Sequence, residues 1–253
     1  MRLRLSTYNT LTVGAVGSWP YVLDQFRAPH TVGLTGTPIA TQIDVEQGQM
    51  RGFCVPGGAS PKVSRTTAKV LSCFSIRPFF SPRYVHTMYT PPDGLRGRIG
   101  MVRMHSKWYE VAFIVVCTLV EPRGSAAPQH TDAVWSELHR IVAHLPARCV
   151  PWLLMDANAH IGKSEGADLL PNGHVGPCEA VEMNTNGTCM HTFFQAAHLA
   201  ATNIVFRTGP TLFSNNGVYS SRIDYSCGVC SMLYSVDKCA VWYKAGKRLQ
   251  LAR

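Results

Sequence analysis

The stretch from Pro151 to Gly162 narrows most sharply what this chain can fold into. Its apolar run is too short for a helix and ends in acid, small residue, amide. That pattern predicts a buried strand whose C-terminal tip presents Asp156 and Asn158 at the sheet edge. In a pleat of period two, residues separated by one point to the same side. A carboxylate and a carboxamide are therefore expected side by side. Asp156 can take a proton from a water, and Asn158 can donate a hydrogen bond to an anionic oxygen. The alternative is that both residues merely shape the turn after the strand.

A chain of 253 residues suits one large α/β domain or two small ones, and a hydrophobic share of 46% supports an adequate core. The formal net charge of +9 favours an anionic partner such as nucleic acid. No run reaches the length of a membrane span, and the charged, alternating start lacks the apolar region of a signal peptide. No membrane association is expected, and the expected location is intracellular, in cytoplasm or nucleus. Nine cysteines, an odd and scattered number, argue against a disulfide framework and for a reducing compartment. Cys227 and Cys230 have metal or redox spacing, but no second Cys-x-x-Cys exists, so buried free thiols are expected.

Taken in order, residues 2–9 alternate as a strand ending in Asn9. Residues 19–26 suit a short helix, and residues 31–37 a second strand with a Gly-rich end. Between residues 51 and 109 ten basic side chains stand against one acid, Asp93, with aromatics interleaved. That mixture suits a phosphate backbone and stacked bases, or a set of solvated strands with ordinary core aromatics. The six prolines of that stretch predict edge strands and long loops. Residues 112–120 form another buried strand, and residues 131–145 an amphipathic helix capped by Thr131 or Asp132. With the strand bearing Asp156 they make a crossover unit. A polar loop over 163–188, a helix over 190–201 and a strand over 203–206 follow. Residues 221–225 read as a strand carrying Arg222 and Asp224, and residues 231–243 close the pattern around Asp237 and Lys238.

These pieces together resemble the endonuclease/exonuclease/phosphatase superfamily, the deoxyribonuclease-I-like fold, along nearly the whole chain. Met155-Asp-Ala-Asn158 is similar to the family's Gly-Asp-x-Asn motif, and Ser221-Arg-Ile-Asp-Tyr225 to its Arg-Ile-Asp-Tyr motif. Asn9 ends the first strand where the family has an Asn, and Asp237 stands at its last Asp. The pattern is nearest to endonuclease domains of non-LTR retroelements. The resemblance implies a single domain over 1–253, an α/β (α+β) four-layer sandwich of two mixed β-sheets flanked by helices. It implies a metal-dependent phosphodiesterase acting on nucleic acid, DNA rather than RNA, as a monomer. Asp156, Asn158, Asp224 and Lys238 then fall at catalytic positions. Asn9, Asn158 and Arg222 fall at phosphate-binding ones, and Asn9 and Asp237 beside a magnesium ion (Mg2+).

Three positions depart from the family's pattern. Gly36 replaces the metal-binding Glu, Leu119 the active-site Tyr, and Lys238 the His of the last motif. Gly36 brings no carboxylate, so magnesium is held weakly; Asp44 and Glu46 lie a few residues downstream. An ammonium is a poor proton shuttle at neutral pH. Loss of one such group typically costs about 10² to 10⁴ in rate. The expectation is impaired catalysis, with three alternatives: a non-catalytic nucleic-acid-binding pseudoenzyme, a decayed retroelement remnant, or a phosphatase of small molecules or lipids.

Overall fold

Two apolar runs of the sequence become the middle of a sheet. The computed structural model describes residues 5–9, 31–35, 44–47, 50–55, 70–75, 84–105, 110–118, 128–161, 183–206, 208–213 and 220–241. Strands β1 (Leu5–Asn9), β2 (Thr31–Thr35), β3 (Asp44–Gln47), β4 (Met50–Val55) and β5 (Val70–Ser75) form a five-stranded sheet in the order β1-β2-β5-β4-β3. In it β1 and β2 run parallel and the other pairs antiparallel. A six-stranded sheet is built from β6 (Val85–Tyr89), β7 (Ile99–His105), β8 (Glu110–Cys117), β9 (Val150–Asp156), β10 (Leu199–Ala201) and β13 (Asp224–Val229). Its order is β10-β13-β9-β8-β7-β6, with β8 and β9 as the parallel pair. Short strands β11 (Leu212–Phe213) and β12 (Ser220–Ser221) pair with each other.

Parallel neighbours need a crossover. Helix α1 (Pro128–Ala143) supplies it between β8 and β9, as the sequence predicts. It begins at Pro128, ahead of the expected caps Thr131 and Asp132, because proline is favoured in the first turn. Val134, Trp135, Leu138 and Ile141 form its buried stripe. They pack with Ile114, Leu153, Met155, Phe193 and Phe194 into the main core on one face of the six-stranded sheet. On the other face Phe113, Val115 and Leu154 meet Leu5 of β1. A Cβ on Gly33 of β2 would lie 2.7 Å from that of Leu154, so glycine lets the first sheet approach this closely. The result is an α/β fold, a mixed sheet flanked by helices.

The sequence misplaces the elements after residue 183. Helix α2 runs Thr185–Ala197, starting inside the expected polar loop and ending before the expected boundary. The Asn184 side chain caps it by accepting from the Gly187 amide at 2.8 Å. His198, at φ 51°, ends it in the left-handed region, and β10 follows. The expected strand at 203–206 is instead a single turn, α3 (Thr202–Val205). There the Asn203 side chain does what a strand backbone would. Its Nδ2 donates to Asp224 O at 2.8 Å, and its Oδ1 accepts from Ser226 N at 3.4 Å. The edge strands expected over 51–109 are in part interior, since β5 lies between β2 and β4 and β7 between β8 and β6. Pro91 and Pro92 punctuate the connection from β6 to β7 rather than blocking either ladder. The other four prolines of that stretch, the expected helix at 19–26, Gly36 and Leu119 lie outside the described residues.

Candidate phosphate site at the sheet rim

The six-stranded sheet ends in one row of side chains. Asp156, the last residue of β9, is the direct partner of Cys117 on β8 and of Asp224 on β13. Cys117 N donates to Arg98 O at 2.8 Å, which carries the β7/β8 ladder one residue beyond Ile99. Cross-strand partners share a face. In period two that face is the one bearing Val115 and Leu154, which pack toward β1. Arg98, Cys117, Asp156 and Asp224 therefore form one row across β7, β8, β9 and β13, on the face turned toward β1. Asp156 is buried, and Cys117 Sγ lies 3.7 Å from its Oδ2.

The electrostatics of the row are unbalanced. Burial pushes the Asp224 carboxyl up to about 6, and the Thr211 hydroxyl beside it only partly offsets this. Asp224 Oδ1 is enclosed, with no hydrogen-bond partner among the described residues. Burial also raises the Cys117 thiol, and the Asp156 and Asp224 charges push it further, while the Arg98 guanidinium pulls it back. Cys117 is thus a neutral spacer between charged groups. Free thiols are found at Cys117, Cys149, Cys189, Cys227, Cys230 and Cys239, three of them buried.

Asn158 reaches the rim by a different route from the one the pleat suggests. It takes φ 44°, a left-handed conformation that asparagine tolerates, so strict alternation ends at Asp156. Its Nδ2 donates to Thr118 O at 3.1 Å, beside the end of β8. Its own carbonyl accepts from Asn184 Nδ2 at 2.9 Å. Asn184 Oδ1 also accepts from His160 N at 2.8 Å, and Asn186 Oδ1 accepts from the Trp135 indole at 3.1 Å. This amide network clamps the start of α2 onto the loop after β9. Gly187 is required in it, because a Cβ there would sit 1.8 Å from His160 O.

The remaining sequence candidates occupy varied places. Arg222 is buried just before β13, where its guanidinium donates to Thr208 O and lies 3.5 Å from Gly209 O. Its Nε has no hydrogen-bond partner among the described residues. The Tyr225 hydroxyl donates to Ala159 O at 2.8 Å and lies 3.1 Å from Arg222 O, tying the two motif segments together. Asn9 is the final residue of β1, paired in register with Thr35. Asp237 and Lys238 are exposed in the irregular segment after the 3-10 turn Cys230–Ser235.

Magnesium demands close to six oxygen ligands in octahedral array. Among the described residues no three His, Cys, Asp or Glu side chains come together in a way that could hold a metal. The rim offers two carboxylates, Asp156 and Asp224, with a protonated, soft thiol beside them. A thiol is no ligand for magnesium, so among the described residues the rim gives such an ion at most these two carboxylates and gathers no third ligand around it. Sequence reasoning also passes over Arg98. In the sequence it is one of ten basic residues between 51 and 109, and only the strand register sets it apart.

No family model matches this chain, and no curated protein matches it. Solved structures do. The endonuclease domain of TRAS1, a telomere-specific non-LTR retrotransposon, superposes with TM-score 0.58 at 15% identity, covering 94% of this chain and 90% of that one. The 3'-5' exonuclease NExo from Neisseria meningitidis gives 0.59 at 16% identity over 94% of this chain and 90% of its own. AP endonuclease LMAP from Leishmania major gives 0.58 at 11% identity over 92% of this chain and 80% of its own. At such identities the likeness speaks for architecture. The chain has the deoxyribonuclease-I-like fold of the endonuclease/exonuclease/phosphatase proteins.

Proposed function

We propose that this domain holds nucleic acid at its sheet rim and has lost most or all of the power to cleave it. The observation that carries the reading is the donor set of the rim. Two carboxylates stand in register, and no third metal-ligating side chain joins them among the described residues. The three departures from the family's pattern, Gly36, Leu119 and Lys238, agree with it. In this reading residues 1–253 form one domain. The four layers of this reading are two mixed sheets face to face with helices outside.

The roles follow from the residues' chemistry. Asn158 and Asn9 are donors suited to phosphate oxygens, whereas the buried Arg222 guanidinium is given to the carbonyl of Thr208. Lys238 keeps a positive charge near the phosphate without the imidazole's ability to pass a proton at neutral pH. Asp156 and Asp224 retain acid positions, and Gly36 stands where a Glu would share a cation with Asp237. The net charge of +9 supplies a general attraction to a polyanion. DNA is the assigned partner, bound by a monomer inside the cell. The nuclease descriptions of the similar structures support a nucleic acid as the ligand class.

A plasmid-nicking assay with magnesium tests the loss of cleavage. The wild type should nick supercoiled DNA no faster than Asp156→Ala, and the repaired protein carrying Gly36→Glu and Lys238→His should nick faster than either. Asp156-dependent nicking by the wild type overturns the reading and restores a working phosphodiesterase. DNA and RNA retardation in EDTA tests the binding half, and its absence at low salt overturns that half.

A further inference from the structure

A phosphate bound at the rim would need a counter-charge, because the two carboxylates there would repel it. Arg98 is the cation that the fold sets at the end of their row, with Cys117 between it and Asp156. The segment before β7 explains how. Pro92 opens a 3-10 turn at Asp93–Leu95, Gly97 takes φ 77°, and Arg98 N donates to Leu95 O at 2.9 Å. The chain then enters β7 with Arg98 already in register with Cys117. Arg98 shares its face with Gly100 and Val102, the face on which Phe113 and Leu5 pack. Its side chain is half-buried, where a guanidinium is worth more to an anion than in open water. Its charge reaches the Cys117 thiol, whose neighbour across the ladder is Asp156.

The basic residues around it are differently occupied. Arg96 makes a surface ion pair with Asp93 at 2.8 Å, and Arg103 is committed to Glu110. No ion pair joins Arg98 to a described acid, although Asp156 and Asp224 lie in the same row. Asp156 and Asp224 stand two and three strands away from Arg98, too far to brace it, so its guanidinium fork is left for an outside anion.

We infer that Arg98 is the phosphodiester-gripping residue of the rim, supplying from the protein itself the positive charge that the described residues do not gather as a metal site. This deepens the binding reading above and rests on it. The ligand class is a nucleic-acid backbone phosphate. The grip needs no divalent ion. Asp156 and Asp224 oppose the phosphate and so limit its affinity.

The experiment is fluorescence anisotropy of a labelled DNA duplex in EDTA across a salt series, with wild type, Arg98→Ala, Arg98→Lys, Arg96→Ala and Asp224→Asn. Thermal melts check that each variant folds. Arg98→Ala should weaken binding about tenfold and lower the slope of log affinity on log salt by about one. Arg98→Lys should recover part of the affinity, because it restores charge without the fork. Asp224→Asn should tighten binding. Arg96→Ala should change it less than Arg98→Ala does. An Arg98→Ala protein that binds like the wild type, or loses no more than Arg96→Ala, overturns the assignment while leaving nucleic-acid binding intact. If Arg98→Ala does not fold, the Lys variant and Asp224→Asn decide: unchanged affinity in both overturns it. A wild type with no affinity for duplex or single strand at low salt overturns this inference together with the binding reading.

Discussion

Strand β8 carries a buried acid at one end and meets another acid at the other, and the two ends are treated oppositely. At its start Glu110 is buried and bracketed by two arginines. Arg103 pairs with one carboxylate oxygen, and Arg148 Nε pairs with the other at 2.6 Å. Burial works to raise the Glu110 carboxyl, but Arg148 and Arg103 outweigh it and hold it below the usual range. At the far end Cys117 stands in the row with Asp156 and Asp224, and there burial leaves Asp224 raised to about 6. The same sheet thus neutralises one carboxylate fully and leaves another exposed to the penalty of desolvation. A structural charge is closed off by its own chain. A charge kept at a cost, at the other end of one row from a cation that pairs with no described acid, marks a surface that something else completes.

The largest effect should come from breaking the closed end. Glu110→Gln strands two arginines, so stability should fall by about 2–3 kcal/mol, discounted because Arg148 is mostly exposed. In thermal denaturation that corresponds to a drop of roughly 5–10 °C. A loss no greater than that of an ordinary surface substitution would show that the bracket carries no weight. Asp224→Asn is the opposite case. It removes a charge that burial disfavours, so the variant should be more stable than wild type at pH 7 by about 1 kcal/mol. Destabilisation by a similar amount would mean that the acid is already neutralised in the folded protein.

Proton linkage sharpens the contrast. Asp224 has a folded value of about 6 against 3.8, so the folded state binds the extra proton in that window. Its contribution to stability is therefore greater in acid and declines as pH rises from about 4 to about 6. Glu110 has the reverse sign. Its contribution is present above its ordinary value of 4.5 and is lost as pH falls below it. Wild-type stability should rise on going from pH 7 toward 5 and fall again below about 4.5. Asp224→Asn should flatten the rise, and Glu110→Gln should soften the acid fall. Urea titrations of the three proteins across pH measure this, and identical profiles would refute the assigned signs. The smallest effect belongs to Arg148→Ala. With 66% of its side chain exposed, that arginine should be worth less than about 1 kcal/mol. A larger loss would move the weight of the bracket from Arg103 to Arg148.

Much of the rim is legible in the sequence, and the reasons are local. The run before Asp156 is short, apolar and bounded, so strand β9 and its acidic tip follow directly from residue type. The crossover helix shows its stripe in Val134, Trp135, Leu138 and Ile141. What the sequence hides depends on register. Asp156 and Asp224 are 68 positions apart, and only the β9/β13 pairing makes them neighbours. Arg98 looks like any other basic residue of its stretch until the ladder places it beside Cys117. Arg222 and Arg98 are alike as letters, yet the guanidinium of one donates to the carbonyl of Thr208 and the other makes no ion pair with a described acid. The helix at 185–197 is misjudged because its start is set by one side-chain cap, Asn184, inside a polar segment without helical periodicity.

A metal-free grip on phosphate is tested most directly by the affinity of the wild-type protein for one DNA duplex, measured in EDTA and in magnesium at matched ionic strength. It predicts dissociation constants that agree within about twofold and a steep fall of affinity with salt in both. Binding that appears only when magnesium is present would contradict it, because the cation gripping the phosphate would then be a metal ion and not the protein's own guanidinium.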